Sequence, residues 1–148
     1  MSTQGTTVYS DSFTHTLDDK NRITIPSAWR YVHDVNDEFL AVPRPDGSIA
    51  VLPPDVTARI HEKSRQIPIS NIAGHQAITR FFAAAHKCSF DKQGRIALTD
   101  AQRAHAKITK DVVLAGAGGN FVIYSPELWA QVNQPRADDT AVLAQLGI

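Results

Sequence analysis

The feature that most constrains this chain is an internal repeat. Residues 17–30, LDDKNRITIPSAWR, align with residues 90–103, FDKQGRIALTDAQR, at a constant offset of 73. Asp18 falls on Asp91, Arg22 on Arg95, Ile23 on Ile96, Ala28 on Ala101 and Arg30 on Arg103. Leu17 and Ile25 match Phe90 and Leu98 in kind. Carried on without a gap, the offset lays residues 47–51 over 120–124 and Pro53 over Pro126. A duplicated unit accounts for this agreement, unit one at about 12–56 and unit two at about 85–129.

Each unit reads as two pairs of strands. Residues 13–17 alternate apolar and polar, as a half-buried strand does. Residues 18–21 make a turn in which Asn21 tolerates the left-handed conformation. Unit two has Gly94 there, which takes that conformation with less strain. Residues 22–25 alternate again, so the two strands are expected to form a hairpin. A short helix then starts at Pro26-Ser27 with Ser27 as its cap, and Thr99 or Asp100 caps the equivalent in unit two. Strands at 39–43 and 48–52 flank the turn Arg44-Pro45-Asp46-Gly47. Their partners are 112–115 and 120–124, and Ser125-Pro126-Glu127 opens a helix. The connector at 57–84 reads as helical, with Val56, Ile60 and Lys63 in one helix, a break at Pro68, and a second helix from Ile72 through Phe81 and Phe82. The tail, 130–148, carries a short helical stretch after Pro135.

Composition narrows the function. The chain has 148 residues, 43% of them hydrophobic, which suits a globular protein rather than a disordered one. Apolar runs are too short for a membrane span, and the N-terminal stretch lacks a signal-peptide pattern. A single cysteine, Cys88, excludes an internal disulfide and a multi-cysteine zinc site. The expected location is the cytoplasm. Lys plus Arg and Asp plus Glu number 15 each, for a net charge of zero. That zero is a cancellation. Residues 57–110 hold ten basic side chains against three acidic ones, and residues 31–56 and 111–148 hold two basic against nine acidic. Phosphate binding follows local potential rather than the sum.

The repeated D-x-x-x-R has a direct physical use. An Asp four residues before an Arg across a tight turn accepts backbone N–H groups and holds the guanidinium in one direction. The turn lysines, Lys20 and Lys92, project near the same place. Two such turns give a pair of basic tips.

On Leu17–Pro26 with Arg30, and on Phe90–Ile96 with Arg103, the chain resembles the MraZ family of bacterial transcriptional regulators. Arg80-Phe81-Phe82, the run Val112-Val113-Leu114-Ala115-Gly116, Phe121-Val122-Ile123-Tyr124 and Trp129 are also similar to the family. The resemblance implies an α+β, mainly β fold: a swapped-hairpin AbrB-type β-barrel made of two SpoVT-AbrB-type repeats within one chain, with a helical connector. It implies a ring-shaped homo-oligomer that binds short direct repeats in the promoter of the division and cell-wall gene cluster. It puts Lys20, Arg22, Lys92 and Arg95 at the DNA, with Arg22 and Arg95 suited to guanine or phosphate and the lysines to phosphate. Asp18 and Asp91 would orient the loops. The implied partners are double-stranded promoter DNA and further copies of the chain, with no cofactor, no metal, no small-molecule substrate and a nucleoid-associated location. Asn21 stands where the family mostly has glycine, and Thr99 stands where unit one has Pro26.

Other constellations are weak. His61-Glu62 does not continue to H-E-x-x-H. The run Gly116-Ala117-Gly118-Gly119 lacks a following Lys and sits between strands, so it reads as a hairpin turn. No G-x-S-x-G occurs. Cys88 reads as a packed strand residue, and Phe81 and Phe82 as core or subunit contact. An enzyme is therefore not expected. The competing reading is a non-catalytic assembly module whose basic loops serve protein partners.

Overall fold

A computed structural model describes residues 7–31 and 33–148. Residues 1–6, where the N-terminal stretch begins, lie outside the described residues. Among the described residues, eight strands and five α-helices follow one another. They are β1 (Ser12–Thr16), β2 (Arg22–Thr24), β3 (Phe39–Pro43), β4 (Ile49–Leu52), α1 (Pro54–Arg65), α2 (Ile72–Ala84), β5 (His86–Cys88), β6 (Arg95–Ala97), α3 (Asp100–Ala106), β7 (Asp111–Gly116), β8 (Phe121–Tyr124), α4 (Pro126–Val132) and α5 (Asp139–Gln145). The architecture is α+β, and every strand pairing is antiparallel.

The strands do not close into a hydrogen-bonded barrel. Six of them form one sheet in the order β1-β7-β8-β4-β3-β5, and β2 and β6 form a separate two-stranded ribbon. The expected hairpins of β1 with β2, and of β5 with β6, are also not formed. β1 pairs with β7 of the other unit, β5 with β3, and β2 with β6. Alternation fixes which face of a strand is buried, and that face is the same whichever strand sits beside it. The exchange is symmetric. Phe13 faces Leu114 and Ala41 faces His86, two pairs related by the 73-residue offset. On the ribbon, Ile23 faces its own counterpart Ile96.

The ungapped offset fails beyond β3 and β7. Five residues separate Pro43 from Ile49, and four separate Gly116 from Phe121. The true counterpart of Ile49 is therefore Phe121, not Val122. Burial settles this. Ile49, Val51, Phe121 and Ile123 enter the central core, whereas Ala50, Leu52, Val122 and Tyr124 pack on the outer face. A one-residue slip would have turned every side chain of one strand to the wrong face. The shortened offset aligns Pro54 with Pro126, and each proline sits in the first turn of its helix, α1 or α4.

The central core lies between the sheet and the ribbon. Ile23, Ile25, Ile96 and Leu98 enter it from the ribbon side, and Val112, Leu114, Phe121 and Ile123 from the sheet. Trp29 is 1% exposed and stacks on Phe121 at 5.0 Å, with Tyr9 and Phe13 edge-on. Helices cover the opposite face of the sheet. Val56 and Ile60 of α1 and Phe81 and Phe82 of α2 pack on β3 and β4, while Leu128 and Trp129 of α4 pack on β7 and β8. These four strands are thus buried on both faces, so they read as unbroken apolar runs rather than as alternation.

Two local details differ from expectation. The segment after Pro26 is a single 3₁₀ turn, Ser27–Trp29, and Ser27 does not cap it. In unit two Thr99 does cap α3, and Gln102 completes a capping box by accepting from the Thr99 backbone N–H. The N-terminal segment is tied down by Tyr9. Its backbone bonds Gly118 in both directions at 2.9 Å, and its buried hydroxyl lies 2.7 Å from His33 Nε2. His33 Nδ1 in turn lies 2.9 Å from Asp37.

Candidate nucleic-acid interface

The two D-x-x-x-R turns are built by the same hydrogen bonds. The Asp18 backbone N–H donates to Arg22 O at 3.0 Å, and Asn21 N–H donates to Asp18 O at 3.0 Å. Asp18 Oδ1 accepts the backbone N–H groups of Lys20 and Arg22, both at 2.9 Å. Its Oδ2 accepts Arg22 Nε–H at 2.7 Å. In unit two Asp91 Oδ1 accepts from Gln93 and Arg95, both at 2.9 Å, and Oδ2 from Arg95 Nε at 2.8 Å. One side chain therefore holds two of the turn's backbone donors and fixes the direction of its arginine. The fourth residue must be left-handed: Asn21 has φ 59° and Gly94 has φ 76°.

The strand exchange brings the turns side by side. Ile25 N–H donates to Gly94 O and Leu98 N–H to Asn21 O, each at 2.9 Å, so the ribbon is stitched into both turns. Arg95 Nη1 stands 3.7 Å from Asp18 Oδ2. All six residues singled out from the sequence thus lie in one patch: Asp18, Lys20 and Arg22 from unit one, Asp91, Lys92 and Arg95 from unit two. Lys20 and Lys92 are exposed at the tips, and Arg22 and Arg95 are about a quarter exposed, at 27% and 23%.

Electrostatics follow from these bonds. The Arg22 backbone N–H is the largest influence on Asp18. Together with the Arg22 side chain and the Lys20 N–H, it holds the carboxyl below the usual carboxylate range, against a smaller upward push from desolvation. For Asp91 desolvation is the largest single influence and pushes upward. The hydrogen bonds from Arg95 and Gln93 together outweigh it, so this carboxyl also lies below its usual range. Both carboxylates stay ionised. Arg22 spends only Nε on Asp18, and among the described residues the two terminal nitrogens of its fork make no hydrogen bond. Arg95 is more engaged, since its Nη2 also meets Gln93 Oε1.

The turns are not equal in charge. At the 73-residue offset Asp19 corresponds to Lys92, and Lys20 to Gln93. The lysines occupy different positions of their turns. Turn one, 18–22, is neutral, and turn two, 91–95, carries one positive charge.

One further residue at these turns was visible in the alignment only as a match. Arg30 Nε donates to Ile25 O at 2.7 Å, and its guanidinium occupies the space a Cβ would take on Gly94. An arginine of unit one therefore lies across the turn of unit two. Among the described residues no group of three His, Cys, Asp or Glu side chains could hold a metal ion, and no helix is long and apolar enough to cross a membrane.

Comparison with known proteins adds a second line of observation. A family model described as "MraZ protein, putative antitoxin-like" matches residues 81–144. A "Transcriptional regulator MraZ" from Clostridium acetobutylicum is 31% identical over 144 residues, which cover 95% of this chain and all of that protein. The protein of the same name from Natranaerobius thermophilus is 35% identical over 128 residues, 86% of this chain and 87% of its own. That from Carboxydothermus hydrogenoformans is 34% identical over 122 residues, 82% of this chain and 84% of its own.

Proposed function

The chain belongs to the MraZ family, and from that premise we propose that it is a transcriptional regulator that binds promoter DNA through its paired D-x-x-x-R turns. The observation that carries this reading is the placement of both turns on one cross-unit ribbon, with two oriented guanidinium groups and two exposed lysines. Arg22 and Arg95 meet base edges or phosphates, Lys20 and Lys92 meet phosphates, and Asp18 and Asp91 orient the turns. Chemistry of this kind reads a duplex without a cofactor or a reaction.

The finer parts belong to the same proposal. Strand exchange between 12–56 and 85–129 supports a swapped-hairpin arrangement of two AbrB-type repeats, joined by a connector at 57–84 and followed by a tail at 130–148. The chain assembles into a ring, and exposed apolar side chains such as Ile69 (93% exposed), Ile72, Val142 and Leu143 support contact between copies. The ring engages short direct repeats in the promoter of the division and cell-wall gene cluster, in the nucleoid, with avidity across subunits.

The test is binding of the purified protein to the DNA upstream of its own gene, with scrambled duplex as control. Wild-type affinity should fall steeply with salt. The double variant Arg22→Ala/Arg95→Ala should lose specific binding while its circular dichroism spectrum is kept. Undiminished binding by that variant would overturn the site. Loss of a protein partner rather than of DNA would favour the assembly-module reading.

A further inference from the structure

The two turns share a frame but not a support. Arg30 Nε donates to Ile25 O, and Ile25 N–H donates to Gly94 O. The Arg30 guanidinium thus closes a cross-unit chain of hydrogen bonds and lies against the one residue of turn two that has no side chain. The mirror arrangement would seat Arg103 across Asn21, with Nε donating to Leu98 O. The backbone half of it exists, since Leu98 N–H donates to Asn21 O at 2.9 Å. The side-chain half does not. Arg103 Nε is buried and has no hydrogen-bond partner among the described residues, and its Nη2 meets Asp100 instead. Asn21 carries a Cβ at the point where Gly94 is bare. The 73-residue offset places Ser27, not an acid, opposite Asp100.

We propose that Arg30 is a positioning residue that locks turn two from the other unit, and that the Asn21 side chain denies Arg103 the same seat across turn one. The inference rests on the DNA-binding reading of the turns. It divides the labour between them. Arg95 meets DNA already set, so it loses little freedom on binding and carries more of the specificity. Arg22 is aimed by Asp18 in the same way, but its turn has no brace from the other unit and so keeps more freedom to adjust to the base or phosphate it meets. One residue, 21 in unit one or 94 in unit two, selects between these behaviours.

The experiment uses the full chain and two readouts. Amide exchange by NMR, without DNA, follows Ile25 and Leu98, the mirror-image donors onto Gly94 and Asn21. Removing the charge-assisted bond in Arg30→Ala should speed Ile25 exchange about tenfold, while Arg103→Ala should change Leu98 less than about twofold. Gly94→Asn, whose side chain tolerates the left-handed backbone, should fold normally and reproduce the Arg30→Ala exchange. In an Asn21→Gly background, Arg103→Ala should newly speed Leu98. Equal effects of Arg30→Ala and Arg103→Ala would overturn the proposal. So would a seated Arg103 in Asp100→Ser with Asn21 intact, because the acid would then be the cause.

The second readout is affinity for the upstream duplex. Arg30→Ala should weaken it about tenfold and Arg103→Ala about twofold or less. Arg30→Lys keeps the charge but not the planar fork, and it should not restore binding. Full rescue by lysine would mean that residue 30 acts as a charge on phosphate, which overturns the positioning role. A wild-type protein that binds no duplex would defeat the DNA reading, and the exchange measurements would still decide whether Arg30 holds turn two.

Discussion

The turns at 18–22 and 91–95 close with hydrogen bonds that agree to within about 0.1 Å, yet they present different side chains. Three residues are needed for the frame: the Asp, the Arg and a fourth residue able to be left-handed. The two tip positions between them are free, and they hold Asp19 and Lys20 in one turn and Lys92 and Gln93 in the other. The units also share the core unequally. Trp29 fills its centre from unit one, and its counterpart in unit two is Gln102, which completes the capping box of α3. The two turns share what shapes them and differ in what decorates them.

Three pairs of substitutions test how deep that inequality goes. The largest effect should come from the core. Trp29→Ala removes a side chain stacked among Tyr9, Phe13 and Phe121 and should cost about 3–5 kcal/mol. Gln102→Ala removes only a capping box and should cost about 1 kcal/mol. Urea denaturation of both variants measures the gap, and equal losses would erase the distinction between the units. The turns come next. Gly94→Ala should cost about 1–3 kcal/mol, since it strains a φ of 76° and displaces Arg30. Asn21→Ala should cost less, about 1 kcal/mol, because that turn already accommodates a Cβ. Thermal unfolding ranks them, and the reverse order would remove the special place of Gly94.

The smallest effect is a pH dependence. Asp18 and Asp91 are both held below the usual carboxylate range by the hydrogen bonds of their turns, chiefly those from Arg22 and Arg95. Their unfolded forms therefore take up protons at higher pH than their folded forms do. The stability they supply is fully present above about pH 4 and is lost as the pH falls through the depressed folded values. Asp18→Asn or Asp91→Asn should flatten the stability curve in that acidic window, by similar small amounts because both carboxylates are partly exposed. A clearly larger change from one of them would extend the asymmetry to the carboxylates.

The local features of the site were legible in the sequence because local chemistry makes them. The Asp-to-Arg spacing, the left-handed Asn21 and Gly94, the Thr99 and Ser125 caps and the break at Pro68 each depend on a few adjacent residues. The hairpins β3–β4 and β7–β8 formed as read, but the partners of β1, β2, β5 and β6 were not legible. Residues 13–17 and 22–25 show the same alternation whether they pair with one another or with 111–116 and 95–97. The missing residue in the loop at 117–120 was hidden for a related reason. Residues 49–52 and 121–124 are apolar throughout, so a shift by one leaves the pattern unchanged. The role of Arg30 stayed hidden because it acts on a glycine of the other unit, 64 residues away by number.

The exchange of strands also sets the order in which this chain can fold. β1 has its place only beside β7, and the Thr16 hydroxyl bonds a residue 95 positions further on. β2 waits likewise for β6. During synthesis the first half of the chain leaves the ribosome able to form the β3–β4 hairpin and α1, but with two strands that have no edge to join. Such separations raise contact order and slow folding relative to a protein of self-paired hairpins. In return, neither half can detach as a small domain, because each supplies strands to the sheet of the other.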